Sequence, residues 1–272
     1  MAFLLIKIIN RFQHYNYGDA MLKYFSFLFV GLFIFSAAKL HSQSFGFGCL
    51  GFVGGYGGFT YLQYDAKGLN EFIKQWNNQE SVHSEMEEFK FATGYRVGLN
   101  FFRATFPNNI IVSAKGYYQS LDKTNKAALG GINTNGEYSL DIDMRNWAVG
   151  IDVGWEFTNV VSWKVLDGAI HFNNVKLTET VSTNSESLIG KYESDGSNIG
   201  YSVGTGIIVA IIKDYISIEG LAGYTQISID DLINDQGTKF FNPTQQSSID
   251  EKFIKSGGFT AVVQLNVGFP IL

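Results

Sequence analysis

The sequence predicts an all-β chain: an eight-stranded, antiparallel, up-and-down transmembrane β-barrel with short periplasmic turns and long extracellular loops. Three observations predict it. An export signal stands near the N-terminus, period-two alternation runs through the remainder, and the links between alternating segments are short and long by turns.

The export signal comes first. Lys23 precedes an apolar run from Tyr24 to Ala38, and small and polar residues follow through Ser42 and Gln43. A charged start, a short apolar run and a small-residue exit describe a secretory signal peptide. The run is shorter than the ~20 residues a spanning helix requires. The expected organisation is therefore a signal over 1–43, with translation starting at Met1 or Met21, and a barrel domain over 44–272. Cys49 is the single cysteine, which excludes an internal disulfide and a cysteine-based zinc cluster, and no lipoprotein pattern precedes it.

Eight segments alternate, at roughly 45–60, 91–104, 110–121, 140–158, 164–181, 199–212, 215–229 and 257–269. In the last of them Phe259, Ala261, Val263, Leu265, Val267 and Phe269 share one face, and Thr260, Val262, Gln264, Asn266 and Gly268 are on the other. A strand turns successive side chains to opposite sides, so each segment has one bulky apolar stripe and one small or polar stripe. Short turns are expected at Phe106-Pro107-Asn108-Asn109, at 158–162 and at Lys213-Asp214. Long polar loops are expected over 61–90, 122–139, 182–198 and 230–256.

Two cues make the apolar stripe the outer one. It carries almost no charge, whereas a soluble barrel would put its bulky side chains inside and its charges outside. Aromatic residues also fall near strand ends: Phe101, Phe106, Trp155, Phe157, Trp163, Tyr215 and Phe269 toward the short turns, Trp147, Tyr201 and Tyr224 toward the long loops. Amphipathic rings favour the headgroup level of a bilayer. Backbone groups in hydrocarbon find no water, so the first and last strands must pair and close the sheet.

The inward stripe then holds Arg96, Lys115, Asp152, Glu156 and Glu219, joined by Asp167 and His171 if the fifth strand keeps its early phase. Both signs facing one narrow lumen can pair, and eight strands leave room for little more than side chains. In the first long loop Leu69, Phe72, Ile73 and Trp76 recur at i, i+3, i+4 and i+7. KGLNEFIKQWNN therefore reads as a short amphipathic helix that caps the barrel mouth, lies on the membrane or contacts a partner.

Other chemistry is thinly represented. A net charge of −5 excludes the basic surface of a nucleic-acid binder. His83-Ser84-Glu85 lies in a loop without a nucleophile motif, and Asp230, Asp231, Asp235, Asp250 and Glu251 fit no calcium loop. No phosphate loop or dinucleotide fingerprint occurs, so neither cofactor nor metal is expected. Two alternatives to a non-enzymatic closed barrel stay open: a narrow pore for ions or small solutes, and a lipid-modifying enzyme using His83 or His171.

The chain resembles the small outer-membrane β-barrel domain proteins of Bacteroidetes type. The stretches that carry the resemblance are LHSQ, GLNEFIKQWN, NIGYSVGTGI, DYISIEGLAGY and the final FTAVVQLNVGF, within about 45–272. Family members often end on an aromatic residue, whereas here Phe269 is followed by Pro270-Ile271-Leu272. The resemblance implies an outer-membrane location, outer-membrane lipid and the barrel-insertion machinery as partners, an extracellular partner met through the loops, and a monomer. It carries over no catalytic residues.

Overall fold

A computed structural model describes residues 54–79, 82–131, 134–183, 186–196, 198–213, 215–240 and 252–268. The expected signal segment, Cys49, Asp250, Glu251 and Phe269 lie outside the described residues. The elements in order are β1 (Gly54–Asp65), α1 (Lys67–Asn77), β2 (Phe91–Phe106), β3 (Ile110–Gly131), β4 (Thr134–Glu156), β5 (Val161–Thr183), β6 (Ser187–Ser194), β7 (Asn198–Ile212), β8 (Ile216–Gln226), β9 (Leu232–Ile233) and β10 (Ser256–Gly268). Among the described residues no helix is long and apolar enough to cross a membrane.

Eight strands form a closed antiparallel ring. β1 pairs with β2, β2 with β3, β3 with β4, β4 with β5, β5 with β7, β7 with β8, β8 with β10, and β10 returns to β1 with Phe59 opposite Val263. Every strand of the ring therefore has a partner on both sides, which answers the backbone's demand for hydrogen bonds. β6 and β9 are additional. β6 pairs with the upper part of β5, and β9 adds a two-residue rung to β6.

The short turns fall where the sequence puts them. Asn108 and Asn109 take the left-handed conformation after Pro107, which asparagine tolerates better than most side chains. The link between β7 and β8 spans 213–215, one residue longer than the expected two-residue hairpin.

The long loops differ from expectation. β3 runs on to Gly131 and β4 begins at Thr134, so most of 122–139 is strand rather than loop. Likewise 182–198 contains β6. β3, β4 and β5 stand together as a tall wall above the rest of the ring, paired without interruption from Gly136 opposite Thr183 down to Val153 opposite Leu166.

That wall exchanges the character of its two faces. In its lower part the outward residues of β4 are Trp147, Val149, Ile151, Val153 and Trp155, and the inward ones include Asn146 and Asp152. In its upper part the inward residues are Tyr138, Leu140, Ile142 and Met144, all fully or almost fully buried. The outward ones there are Glu137, Ser139, Asp141, Asp143 and Arg145. The change falls between Met144 and Trp147 with no break in pairing. β5 changes in the same rows, from outward Phe172 to inward Val175 and Leu177.

Candidate functional site: the barrel lumen

The lumen has three levels. At the long-loop end lies an apolar plug. Leu69 and Ile73 of α1 are fully buried in it with Leu62, Phe89, Leu121, Leu140, Leu177, Ile229 and Phe253, and Phe72 and Trp76 pack half-buried against it. Trp76 stacks on Tyr138 with ring centroids 4.0 Å apart. The amphipathic helix therefore caps the mouth.

The polar face of α1 binds the chain that follows it. The Asn70 side chain donates to the Phe89 carbonyl at 2.9 Å and accepts from the Phe89 amide at 2.7 Å. One turn-pair later Asn77 does the same with Met86, at 3.0 and 2.9 Å. Between them Lys74 reaches Glu88 at 3.3 Å. Hydrogen-bonded Lys90, and then Lys74, hold the Glu88 carboxyl below the ordinary carboxylate range. Its contribution is thus present at neutral pH and is lost as pH falls through that lowered value. The contribution is small because the pairs are exposed. Replacing Ile73 by Ala empties space in the plug, and should lower the hydrogen-exchange stability of α1 amides by about 2–5 kcal/mol. β7 and β8 amides should keep theirs.

The middle level is ionic. Lys115 contacts Asp152 at 2.7 Å and also Asp167; Lys164 contacts Asp152 at 3.1 Å, Asp167 at 3.5 Å and also Glu219. All five side chains are buried. Arg96 stands over the Tyr117 ring, 4.9 Å from its centroid. Three cations and three carboxylates therefore share the centre, so the cluster is formally neutral. Buried ions are tolerable only when paired in this way.

Of the inward charges expected from the sequence, the structure brings Lys115, Asp152 and Glu219 into this cluster, with Asp167 beside them. Glu156 is not among them. It lines the cavity below and has no ion-pair partner within 4.0 Å among the described residues. Lys164, the centre of the cluster, is not on the inward stripe that alternation in the sequence predicts. Strict alternation puts it opposite Asp167, but β5 carries a bulge. Gly154 pairs with Lys164 and Val153 with Leu166, so Val165 is an extra residue. Val165 and Leu166 both face outward while Lys164 and Asp167 both face inward.

The bulge frees the Lys164 carbonyl, and Thr205 of β7 caps it. The Thr205 hydroxyl donates to that carbonyl at 2.8 Å and accepts from the Trp163 indole at 2.8 Å. Thr205→Val leaves both groups without a partner on the outer face. It should cost about 1–3 kcal/mol in a urea titration of the folded fraction.

His171 lies above the ionic cluster. Its Nε2 is 2.8 Å from Ser202 Oγ and its Nδ1 is 3.4 Å from Asn146 Oδ1. The order Ser–His–Asn has the connectivity of a hydrolytic triad. However, the adjoining void of about 20 Å³ holds roughly one water and no acyl group. The plug above and the ion pairs below seal it, so the geometry is that of a hydrogen-bonded interior histidine. His83 and Ser84 are elsewhere: Ser84 Oγ accepts from the Ala128 amide at 2.9 Å and His83 N–H donates to the Ala128 carbonyl at 2.8 Å. Among the described residues no group of three or more His, Cys, Asp or Glu could hold a metal. Asp230 and Asp231 pair with Lys252 and Lys239 at 2.8 and 2.7 Å.

The lowest level is a cavity of about 170 Å³ at the short-turn end, reaching from Glu156, Asn159 and Lys213 up to Lys115 and Glu219.

Outside the ring the aromatics are exposed. Trp155 pairs directly with Trp163, and Phe157 stacks parallel to Trp163 with centroids 6.3 Å apart. Phe106 and Tyr215 stand at the same short-turn end of their strands, and Trp147, Tyr201 and Tyr224 project outward higher up. Phe101 fills the extra position of a bulge in β2 and spreads over Gly116, where a Cβ would meet its ring at 2.7 Å.

No protein-family model matches the chain, and no curated protein matches it in sequence. Among solved structures it is similar to the crystal structure of Ail, the attachment invasion locus protein of Yersinia pestis. The identity is 13% and the TM-score 0.37, covering 80% of this chain and 99% of that one. It is likewise similar to Neisserial surface protein A, NspA, at 11% identity and a TM-score of 0.37, covering 84% of this chain and 100% of that one. The fold assignment rests on the strand pairing given above.

Proposed function

We propose that the chain is an integral β-barrel of the bacterial outer membrane, without enzymatic activity, whose closed lumen supports loops exposed at the cell surface for contact with a partner or for envelope integrity. The exchange of faces along β3, β4 and β5 carries this reading. Below the row of Met144 and Trp147, β4 turns apolar side chains outward and Asn146 and Asp152 inward; above it the same strand turns Glu137, Asp141, Asp143 and Arg145 outward and Tyr138, Leu140, Ile142 and Met144 inward. A sheet wholly in water would keep its apolar face inside throughout. The pattern suits a sheet that leaves hydrocarbon for water part-way up. From Trp147 on β4 to Phe157 just beyond its end, the outer stripe covers ten residue steps. At ~3.4 Å per residue and a tilt near 40°, that is about 25 Å, the height of an outer-membrane apolar band.

On this reading the upper wall and plug are extracellular, the short turns periplasmic, the outward aromatics the girdles, and Arg96, Lys115, Asp152, Lys164, Asp167 and Glu219 a structural filling. The stretches resembling Bacteroidetes-type barrel domains then correspond to α1, β7, β8 and β10. The narrow-pore alternative is disfavoured by two barriers in series, the ionic cluster and the plug. Purified protein in a planar bilayer should accordingly give no discrete, reproducible conductance steps.

The direct test is fractionation of the envelope with protease treatment of intact cells. Recovery with the outer membrane, heat-modifiable gel migration and cleavage confined to the upper segments support the reading. Recovery in a soluble fraction overturns it.

A further inference from the structure

The upper wall ends in an open edge. β6 pairs with β5 along one side, whereas on the other side only Glu193 and Ser194 have strand partners, in β9. Across the β5–β6 turn the Thr183 amide donates to the Glu186 carbonyl at 2.8 Å. Hydrogen-bonded and non-hydrogen-bonded pairs alternate from there. Leu188, Gly190 and Tyr192 therefore turn their backbone groups to β5. Ser187, Ile189 and Lys191 turn theirs to the free side, where no backbone partner meets them among the described residues. Such an edge is a template for another strand. It is apolar on both faces: Leu188, opposite Val181 on the inner face, is 66% exposed, and Ile189 on the outer face is 62% exposed.

The inner face adds a charge. Glu179 of β5 pairs directly with Gly190. The Tyr138 hydroxyl donates to Glu179 Oε1 at 2.8 Å and holds the carboxylate on that face. Glu179 Oε2 lies over Gly190, where a Cβ would meet it at 3.1 Å and the Tyr192 ring at 3.2 Å. With no side chain at 190, the carboxylate reaches over β6 toward the open edge. The cations of the wall are engaged elsewhere, Lys126 with Glu137 at 2.8 Å and Lys176 with Glu193. A carboxylate beside an aromatic ring is a setting that favours a cation.

We propose that the free edge of β6 accepts an extended segment of another protein as an antiparallel strand, with a lysine or arginine opposite Gly190 and an apolar side chain opposite Leu188. Backbone bonds to Ser187, Ile189 and Lys191 supply the affinity, and Glu179 supplies the choice of sequence. A lysine or arginine stem is longer than one strand spacing of ~4.8 Å, so it spans β6 to the carboxylate. Two nearer occupants fit less well. A second copy's β6 also presents its odd-numbered residues at the edge, so its one cation, Lys191, comes to the outer face, away from Glu179. Segment 241–251 of this chain has neither lysine nor arginine. The proposal rests on the surface-contact reading above for the position of β6 outside the cell. Strand binding is read in micelles, so it and fractionation fail separately.

The test is an NMR titration of the refolded, isotope-labelled protein in neutral detergent micelles. The probes are the end-capped peptides TEKVVT and TEQVVT. In the antiparallel register they set lysine or glutamine opposite Gly190 and the second valine opposite Leu188. The expected result is a saturable shift and slowed hydrogen exchange of the Ile189 and Lys191 amides with TEKVVT, with binding about threefold to fivefold weaker for TEQVVT. Glu179→Gln should bring the two peptides to equal affinity and leave that of TEQVVT unchanged. Ile189→Pro removes one N–H from the free side and should abolish binding of both. The wild-type contrast between the peptides decides the matter even if a variant fails to fold. No saturable change at these amides, or equal affinity of the wild-type protein for both peptides, overturns the proposal. Protection that grows with protein concentration in the absence of peptide would assign the edge to a second copy and overturn it as well.

Discussion

Replacing Lys164 by methionine should destabilise the barrel by about 3–5 kcal/mol, the usual cost of removing one partner from a buried ion cluster. Lys164 contacts Asp152 at 3.1 Å, Asp167 at 3.5 Å and also Glu219. Without it three buried carboxylates face Lys115 as their only ammonium, with Arg96 held over the Tyr117 ring instead. The loss is electrostatic rather than one of packing, since methionine fills nearly the same space. Removing a carboxylate as well should therefore recover part of it. In a double-mutant cycle, Lys164→Met with Glu219→Gln should cost less than the sum of the single changes, with a coupling above about 1 kcal/mol. Urea titration of the folded fraction in lipid vesicles, read from gel migration with and without boiling, measures all four proteins. A single variant within about 1 kcal/mol of wild type would show that the cluster does not hold the lumen together.

The second large effect concerns the outer face. Ile151 is 47% exposed and lies in the middle of the outward stripe between Trp147 and Phe157. An arginine there should cost about 2–4 kcal/mol at mid-depth in a bilayer and lower the yield of folded protein in the outer membrane. Ser139 lies on the same face of the same strand, twelve residues before Ile151 and above the exchange of faces. Ser139→Arg should change stability by no more than about 0.5 kcal/mol, as surface substitutions in water do. The two variants share strand, face and introduced side chain, so only the surrounding medium separates them. Equal effects would argue for a single medium along the whole strand.

Much of this arrangement is legible in the sequence because alternation runs unbroken through β8, through β7 as far as Ala210 and through β10 from Phe259 onward. Ile199, Tyr201, Val203, Ile207 and Val209 point outward as their spacing demands. What escaped had two physical causes. The first is the bulge at Val165: one inserted residue reverses the phase, and the basic side chain of Lys164 turns inward against the alternation rule. A single sequence carries no mark of it beyond two adjacent aliphatic residues, Val165 and Leu166.

The second is the upper wall. Its outward residues, among them Asp122, Thr124 and Lys126 on β3 and Glu137, Asp141 and Asp143 on β4, read as loop composition. Yet Tyr138, Leu140, Ile142 and Met144 alternate as cleanly as Trp147, Val149, Ile151 and Val153 do, in the opposite parity. With no bulge between them, a change of parity means that the environment changes sides while the strand continues. That signal was present, and it locates the boundary between Met144 and Trp147. The helix face of Leu69, Phe72, Ile73 and Trp76 was legible as amphipathic, but its partner was not, because the plug is assembled from strands distant in sequence.

The central claim is that the outer face of β4 passes from lipid to water between Trp147 and Arg145. It is tested most directly by single nitroxide labels along that face, with accessibility to oxygen and to a water-soluble nickel chelate measured in vesicles. The account predicts oxygen-rich, nickel-poor signals at 149, 151 and 153 and the reverse at 139, 141 and 143. Nickel reaching 151 as readily as 141 would contradict it.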